Sequence, residues 1–265
     1  MVLTMKAICD DLNDETAALG AITRTLTEDQ WKLPTPAEGW DTRETIIHLG
    51  MADVAASMAV LEPTNFLALR EKMSRGESDL HEISDVDVHG LSGEKLWDWF
   101  AYERNRMTDA FRNLEPKARI PWFGPDMGAL SFATARLMET WSHGHDVADT
   151  FGHEFPRSDR LRHVAHIGVT TRGWSYVNRG LEVPDVAVRV ELNAPSGETW
   201  TWGPENSNEI VRAEAYEFCL VVTQRRRASE ATMDVEGEAA KEWMELAQAF
   251  AGPPTDANEG RVAKV

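Results

Sequence analysis

The stretch 138-METWSHGHDVADTFG-152 gathers five groups able to hold a metal or move a proton: Glu139, His143, His145, Asp146 and Asp149. Its spacing predicts a helix over 129–150 that stops before Gly152, a residue suited to the left-handed position just past a helix end. Positions i and i+4 on a helix lie on one face, about 40° apart. Glu139 and His143 therefore project together, while His145 points to roughly the opposite side. Asp146, three residues after His143, can sit beside it and orient the imidazole or a water. An open catalytic zinc site takes three protein ligands and leaves a position for water, so this pair needs a third group. The candidate is His48 in 46-IIHLG-50, a polar group on an apolar helix where it needs a partner. Spacing alone also permits plainer readings: a hydrogen-bonded core histidine, a solvated Glu–His pair, and two surface carboxylates at Asp146 and Asp149.

Outward from this stretch the first half of the chain is helical. Apolar positions Ile8, Leu12, Leu19, Ile22 and Leu26 predict a helix over 5–26 with one face inward. After the Pro/Gly break 31-WKLPTPAEGW-40, Asp41 and Glu44 carry the spacing of a capping box and open a helix through Leu61. A shorter helix is expected over 64–74, a loop over 77–90, and a helix opened by Ser92 before a second break at Pro116 and 120-IPWFGPDMG-128. Four long helices predict a four-helix bundle over 1–155, an architecture that builds metal sites from inward carboxylates and imidazoles.

From residue 156 the pattern changes, and a small α+β domain is expected over 156–254, with 255–265 a flexible tail. Its expected elements are helices at 160–180, 209–226 and 237–250, a hairpin from 186–192 and 198–202, and a strand at 232–235. The fold class is thus mainly α.

Composition narrows the function. A net charge of −17 argues against nucleic acid, whose phosphates need a basic surface. The basic run 225-RRR-227 is read as complementing the carbonyl end of a helix. No apolar run is seen to approach the ~20 residues of a membrane span, and the N-terminus turns acidic where a signal peptide is basic. The expectation is a cytoplasmic protein, monomer or homodimer, without nucleic-acid or membrane partners. Cys9 and Cys219 stand far apart and are expected to be buried and unpaired.

The segment 31-WKLPTPAEGWDTRETIIHLGMAD-53, together with 139-ETWSHGHDVAD-149, resembles the N-terminal domain of mycothiol-dependent maleylpyruvate isomerases, a branch of the DinB-like superfamily of metal-binding helical bundles. The stretches 216-YEFCLVVTQRRR-227 and 242-EWMELAQAFAGPP-254 resemble an actinobacterial metal-binding subgroup. The C-terminal part is similar to the appended domain called wyosine-base-formation-like. The resemblance implies metal ligands at His48, Glu139 and His143, none substituted here. It also implies a divalent ion, zinc first, with nickel or iron fitting the same donors. By the same likeness, the protein is a transferase or isomerase using a low-molecular-weight thiol of the mycothiol type on a small electrophilic metabolite. Asp146 and Arg172 are then candidate catalytic groups, and Arg225 and Trp122 candidate binding groups, the arginines as carboxylate clamps and the indole as a pocket wall. The alternative is a carrier in which a metal anchors a ligand without chemistry. A metal-free interaction domain would require His48 to point away from Glu139.

Overall fold

The computed structural model describes residues 3–255. They form two compact units, one built from residues up to Thr35 and from Trp40 to His153, the other from Pro36–Gly39 and from Glu154 onward.

The first unit is helical. Helix α1 (Met5–Thr23) is capped by the Thr4 side chain, which accepts from the Ala7 amide. It stops three residues earlier than its periodicity predicts. Thr23 and Thr25 donate their hydroxyls back to the Leu19 and Ile22 carbonyls there, a local bond that competes with continuing the helix. Asp41 caps α2 (Thr42–Leu61) by accepting from the Glu44 amide at 2.8 Å. Next come α3 (Pro63–Ser74) and two 3₁₀ turns within the expected loop. Helix α4 (Gly93–Arg112) is capped by Ser92, as its sequence predicts. A short ribbon of β1 (Arg119–Ile120) and β2 (Met127–Gly128) occupies the second break, and α5 (Ala129–Thr150) follows. Helix α1 packs on α4 and α5, and α2 packs on α4, α5 and α3.

One sequence expectation needs correcting. Helix α2 is long and apolar enough, by length and composition, to cross a membrane, yet most of it is buried inside the protein. Its apolar surface faces neighbours on nearly every side, as expected of a central helix. Gly50 makes one approach possible: a Cβ there would lie 2.3 Å from the Trp99 ring of α4. That glycine lets α4 close against α2 two residues from His48.

The second unit is α+β. Helices α6 (Leu161–Thr170) and α7 (Arg172–Val177) replace the single helix expected over 160–180. The break falls at Thr171, whose hydroxyl bonds back to the Ile167 carbonyl at 2.7 Å. A sheet of order β4–β3–β5–β6 follows, from β3 (Arg189–Asn193), β4 (Thr199–Trp202), β5 (Ile210–Glu214) and β6 (Met233–Glu236). The β3–β4 pair is the expected antiparallel hairpin, with Val190 opposite Trp202. Strand β5 lies in a span expected to be helical throughout. It pairs parallel to β3, Val190 beside Val211, and only then does α8 (Ala215–Val222) begin. Helix α9 (Glu238–Leu246) closes the unit.

Val190, Leu192, Trp200 and Val211 are buried, and α8 and α9 add Phe218 and Trp243 to the core. The alternate residues form a charged ladder, in which Glu191 accepts from Arg189 and Arg212, and Arg212 reaches Asp234. The 225-RRR-227 run does not end a helix as expected. Helix α8 stops at Val222, Arg225 is buried, and Arg226 pairs with Glu217 at 3.0 Å. The expected tail falls largely at 256–265, outside the described residues.

Candidate metal centre

Helix α5 presents Glu139 and His143 on one face, and α2 presents His48 toward them. Glu139 Oε2 lies 3.4 Å from His48 Nε2 and 3.5 Å from His143 Nε2. One donor atom from each of the three residues falls within 4.8 Å of the others. His48 therefore points toward Glu139, against the metal-free alternative. Glu139 and His143 are buried, and the His48 side chain is 15% exposed.

Hydrogen bonding decides what this cluster wants. His143 Nδ1 stands 3.1 Å from Asp146 Oδ2, an acceptor buried at 0% exposure. A carboxylate accepts only, so the imidazole proton belongs on Nδ1. The Nε2 lone pair is then aimed at the Glu139 carboxylate, itself a set of lone pairs. With His143 neutral in this tautomer, the three donor groups could hold a cation between them. The two separations from Glu139 suit such an ion. Charge-assisted N–H···O bonds close to about 2.7–2.9 Å, whereas ligands about 2.0–2.1 Å from a tetrahedral ion stand about 3.4 Å apart.

Protonation states agree. Burial drives the His48 imidazole down to about 4, against the pull of Glu139, and keeps its nitrogen lone pair free at neutral pH. Burial alone would raise the Glu139 carboxyl, but the adjoining His143 and His48 imidazoles outweigh it and hold it well below the usual carboxylate range. With both imidazoles neutral the triad would carry a charge of −1, the form in which such groups bind a divalent ion.

Asp146 is not the surface carboxylate that the plainer reading allowed, whereas Asp149 is exposed. His145 turns away toward Trp141, its Nδ1 3.6 Å from Asp149. Trp40, which the sequence showed only as the end of a Pro/Gly break, lies against the triad. Its ring lies 4.7 Å from the His48 ring and 5.3 Å from that of His143, stacked on the latter. A turn holds it there: Thr35 N–H donates to the Trp40 carbonyl at 2.8 Å, and Gly39 adopts φ +80°. Trp122, offered as a pocket wall, stands in a cluster with Phe66, Phe123 and Phe132. Arg172 and Arg225 belong to the other unit, where each donates to a backbone carbonyl, of Val186 and Thr223 respectively.

A polar network that sequence reading missed lies beside the triad. Asp53 of α2, at 0% exposure, accepts from Arg104 of α4 at 2.6 Å and from Arg136 of α5 at 3.1 Å. Arg104 also donates to Thr16 of α1 and Thr140 of α5, so the network touches all four long helices.

Two uncharacterized proteins of Mycobacterium tuberculosis, MT0041 of strain CDC 1551 and Rv0036c of strain H37Rv, are each 40% identical over 245 residues, covering 92% of this chain and 95% of the relative. Two crystal structures of mycothiol-dependent maleylpyruvate isomerase, one a histidine-to-alanine mutant, align with 88% of this chain and 93% of theirs. Their TM-scores are 0.54 and 0.53 at 16% and 13% identity, a likeness of fold. The model of the mycothiol maleylpyruvate isomerase N-terminal domain matches residues 12–148, the span that carries the whole triad. By that match the chain belongs to the mycothiol maleylpyruvate isomerase N-terminal domain family.

Proposed function

We propose that this protein is a metal-dependent transferase or isomerase that uses a low-molecular-weight thiol of the mycothiol type on a small electrophilic metabolite. In this reading the helical unit is a DinB-like four-helix bundle, and the second unit is the appended wyosine-base-formation-like module. The observation that carries the proposal is the meeting of the His48 and His143 Nε2 atoms on Glu139 Oε2, with His143 Nδ1 3.1 Å from Asp146.

A divalent ion held by these residues, zinc first, acts as a Lewis acid that makes a bound thiol a thiolate at neutral pH. The chain's own residues supply the rest. His48, Glu139 and His143 set the charge and direction of the site. Asp146, through His143 Nδ1, fixes the tautomer and raises the basicity of the ligating nitrogen. Because Asp146 is engaged there, it is not a fourth ligand, which supports an open position for an exogenous group. Trp40 covers the two imidazoles with an apolar face and limits water. Trp122, in the same unit as the triad, is assigned to the apolar wall of the electrophile's pocket.

The thiol must come from outside the chain. Burial pushes the Cys9 thiol up to about 11, with Arg112 only partly countering it, and burial alone raises Cys219 further from ionisation. Neither is a nucleophile at neutral pH.

Cobalt-substituted protein tests the reading. Adding mycothiol, glutathione or bacillithiol should change the visible spectrum as sulfur enters the coordination shell. A spectrum indifferent to every thiol would favour the carrier reading.

A further inference from the structure

The buried network beside the triad has a geometry that its packing role does not require. Arg136 on α5 precedes Glu139 by three residues and is 5% exposed. Its Nη2 donates to the carbonyl of Leu49, the residue after His48, at 3.2 Å, while its Nε donates to Asp53 Oδ1 at 3.1 Å. Both acceptors are on α2. One planar guanidinium thus grips α2 at two points, beside His48 at Leu49 and one turn further on at Asp53, from the turn of α5 that leads into Glu139. Arg104 of α4 also bonds Asp53 of α2 and Thr140 of α5, but it donates to no group adjacent to His48.

We infer that Arg136 is a positioning residue for the metal centre: it sets the separation of His48 from Glu139 by clamping α2 to α5 beside them. The inference rests on the metal reading above. Two ligands come from α5, and their mutual placement is fixed by the helix itself. The third comes from α2, so the site's shape depends on how α2 sits against α5. A ligand displaced by a few tenths of an ångström no longer matches a coordination shell whose bond lengths vary by about 0.2 Å. A guanidinium suits the task because its donors are held in a rigid fork, whereas the lysine ammonium is a point charge on a flexible stem.

The alternative is that Arg136 only secures the register of the helices, as buried polar networks often do. Zinc affinity by chelator competition and the visible spectrum of cobalt-loaded full-length protein separate the two. Arg136→Met should bind zinc at least about tenfold more weakly, the scale of lost outer-shell support, and shift the cobalt bands while its circular dichroism stays helical. Arg136→Lys, which keeps the charge but not the fork, should recover part of the loss. Arg104→Met, in the same network, should lose stability yet bind zinc within about threefold of the parent.

Parent-like zinc binding by Arg136→Met would overturn the inference, as would an equal loss in Arg104→Met. Should Arg136→Met fail to fold, Arg136→Lys decides: several-fold weaker binding supports the clamp, and unchanged binding overturns it. A parent that takes up no zinc defeats the metal reading and this inference together. Zinc binding by the parent, undisturbed in Arg136→Met, defeats this inference alone.

Discussion

The two units handle charge in opposite ways. In the second unit the ionised groups of the sheet stand on one face as a ladder through Glu191 and Arg212, and the other face is apolar. In the first unit Asp53, Arg104, Arg136, Glu139, His143 and Asp146 are all buried among helices. Burying charge costs several kcal/mol per ion unless partners and hydrogen bonds offset it. Burial indeed lowers the affinity of the Arg104 guanidinium for its proton, with Asp53 countering. A fold that only needed a core would build it as the second unit does. The contrast supports the proposal that puts the metal centre in the helical unit.

The largest effect that would sharpen this contrast is on stability. Asp53→Ala leaves two buried guanidiniums without their shared carboxylate and should cost about 3–5 kcal/mol, read from denaturant unfolding. A change too small to resolve would mean that the network is not the structural tie described.

Next in size, Asp146→Asn removes the carboxylate that fixes the His143 tautomer and should weaken metal binding about 10–100-fold. Parent-like affinity would show that Asp146 does not act through His143. Smallest of the three, Glu191→Ala in the second unit should leave the denaturation midpoint unmoved, because exposed ion pairs are screened by water and salt. A clear loss there would erase the distinction between the units.

How much of this was legible depended on whether the signal was local. Asp41, Ser92 and Gly152 mark helix ends within a few residues of the bonds they serve, so the bounds of α2, α4 and α5 could be read directly. The Glu139–His143 pair was equally visible, being one helical turn apart. Strand β5 was not: its short apolar run merges with that of α8, and only pairing with β3 separates the two. The Asp53–Arg104–Arg136 network was invisible for the same reason. Its bonds join residues 51 and 83 positions apart, and no short motif records such a meeting. Trp40 lay between these cases, since the turn that carries it was readable but not the imidazoles it covers.

Metal analysis of freshly purified protein, parent against His48→Ala, tests the central claim most directly. The account predicts about one divalent ion per parent chain and almost none in the variant, because two ligands on one helix are too few to hold it. A parent without metal, or a variant that keeps its full complement, would contradict it.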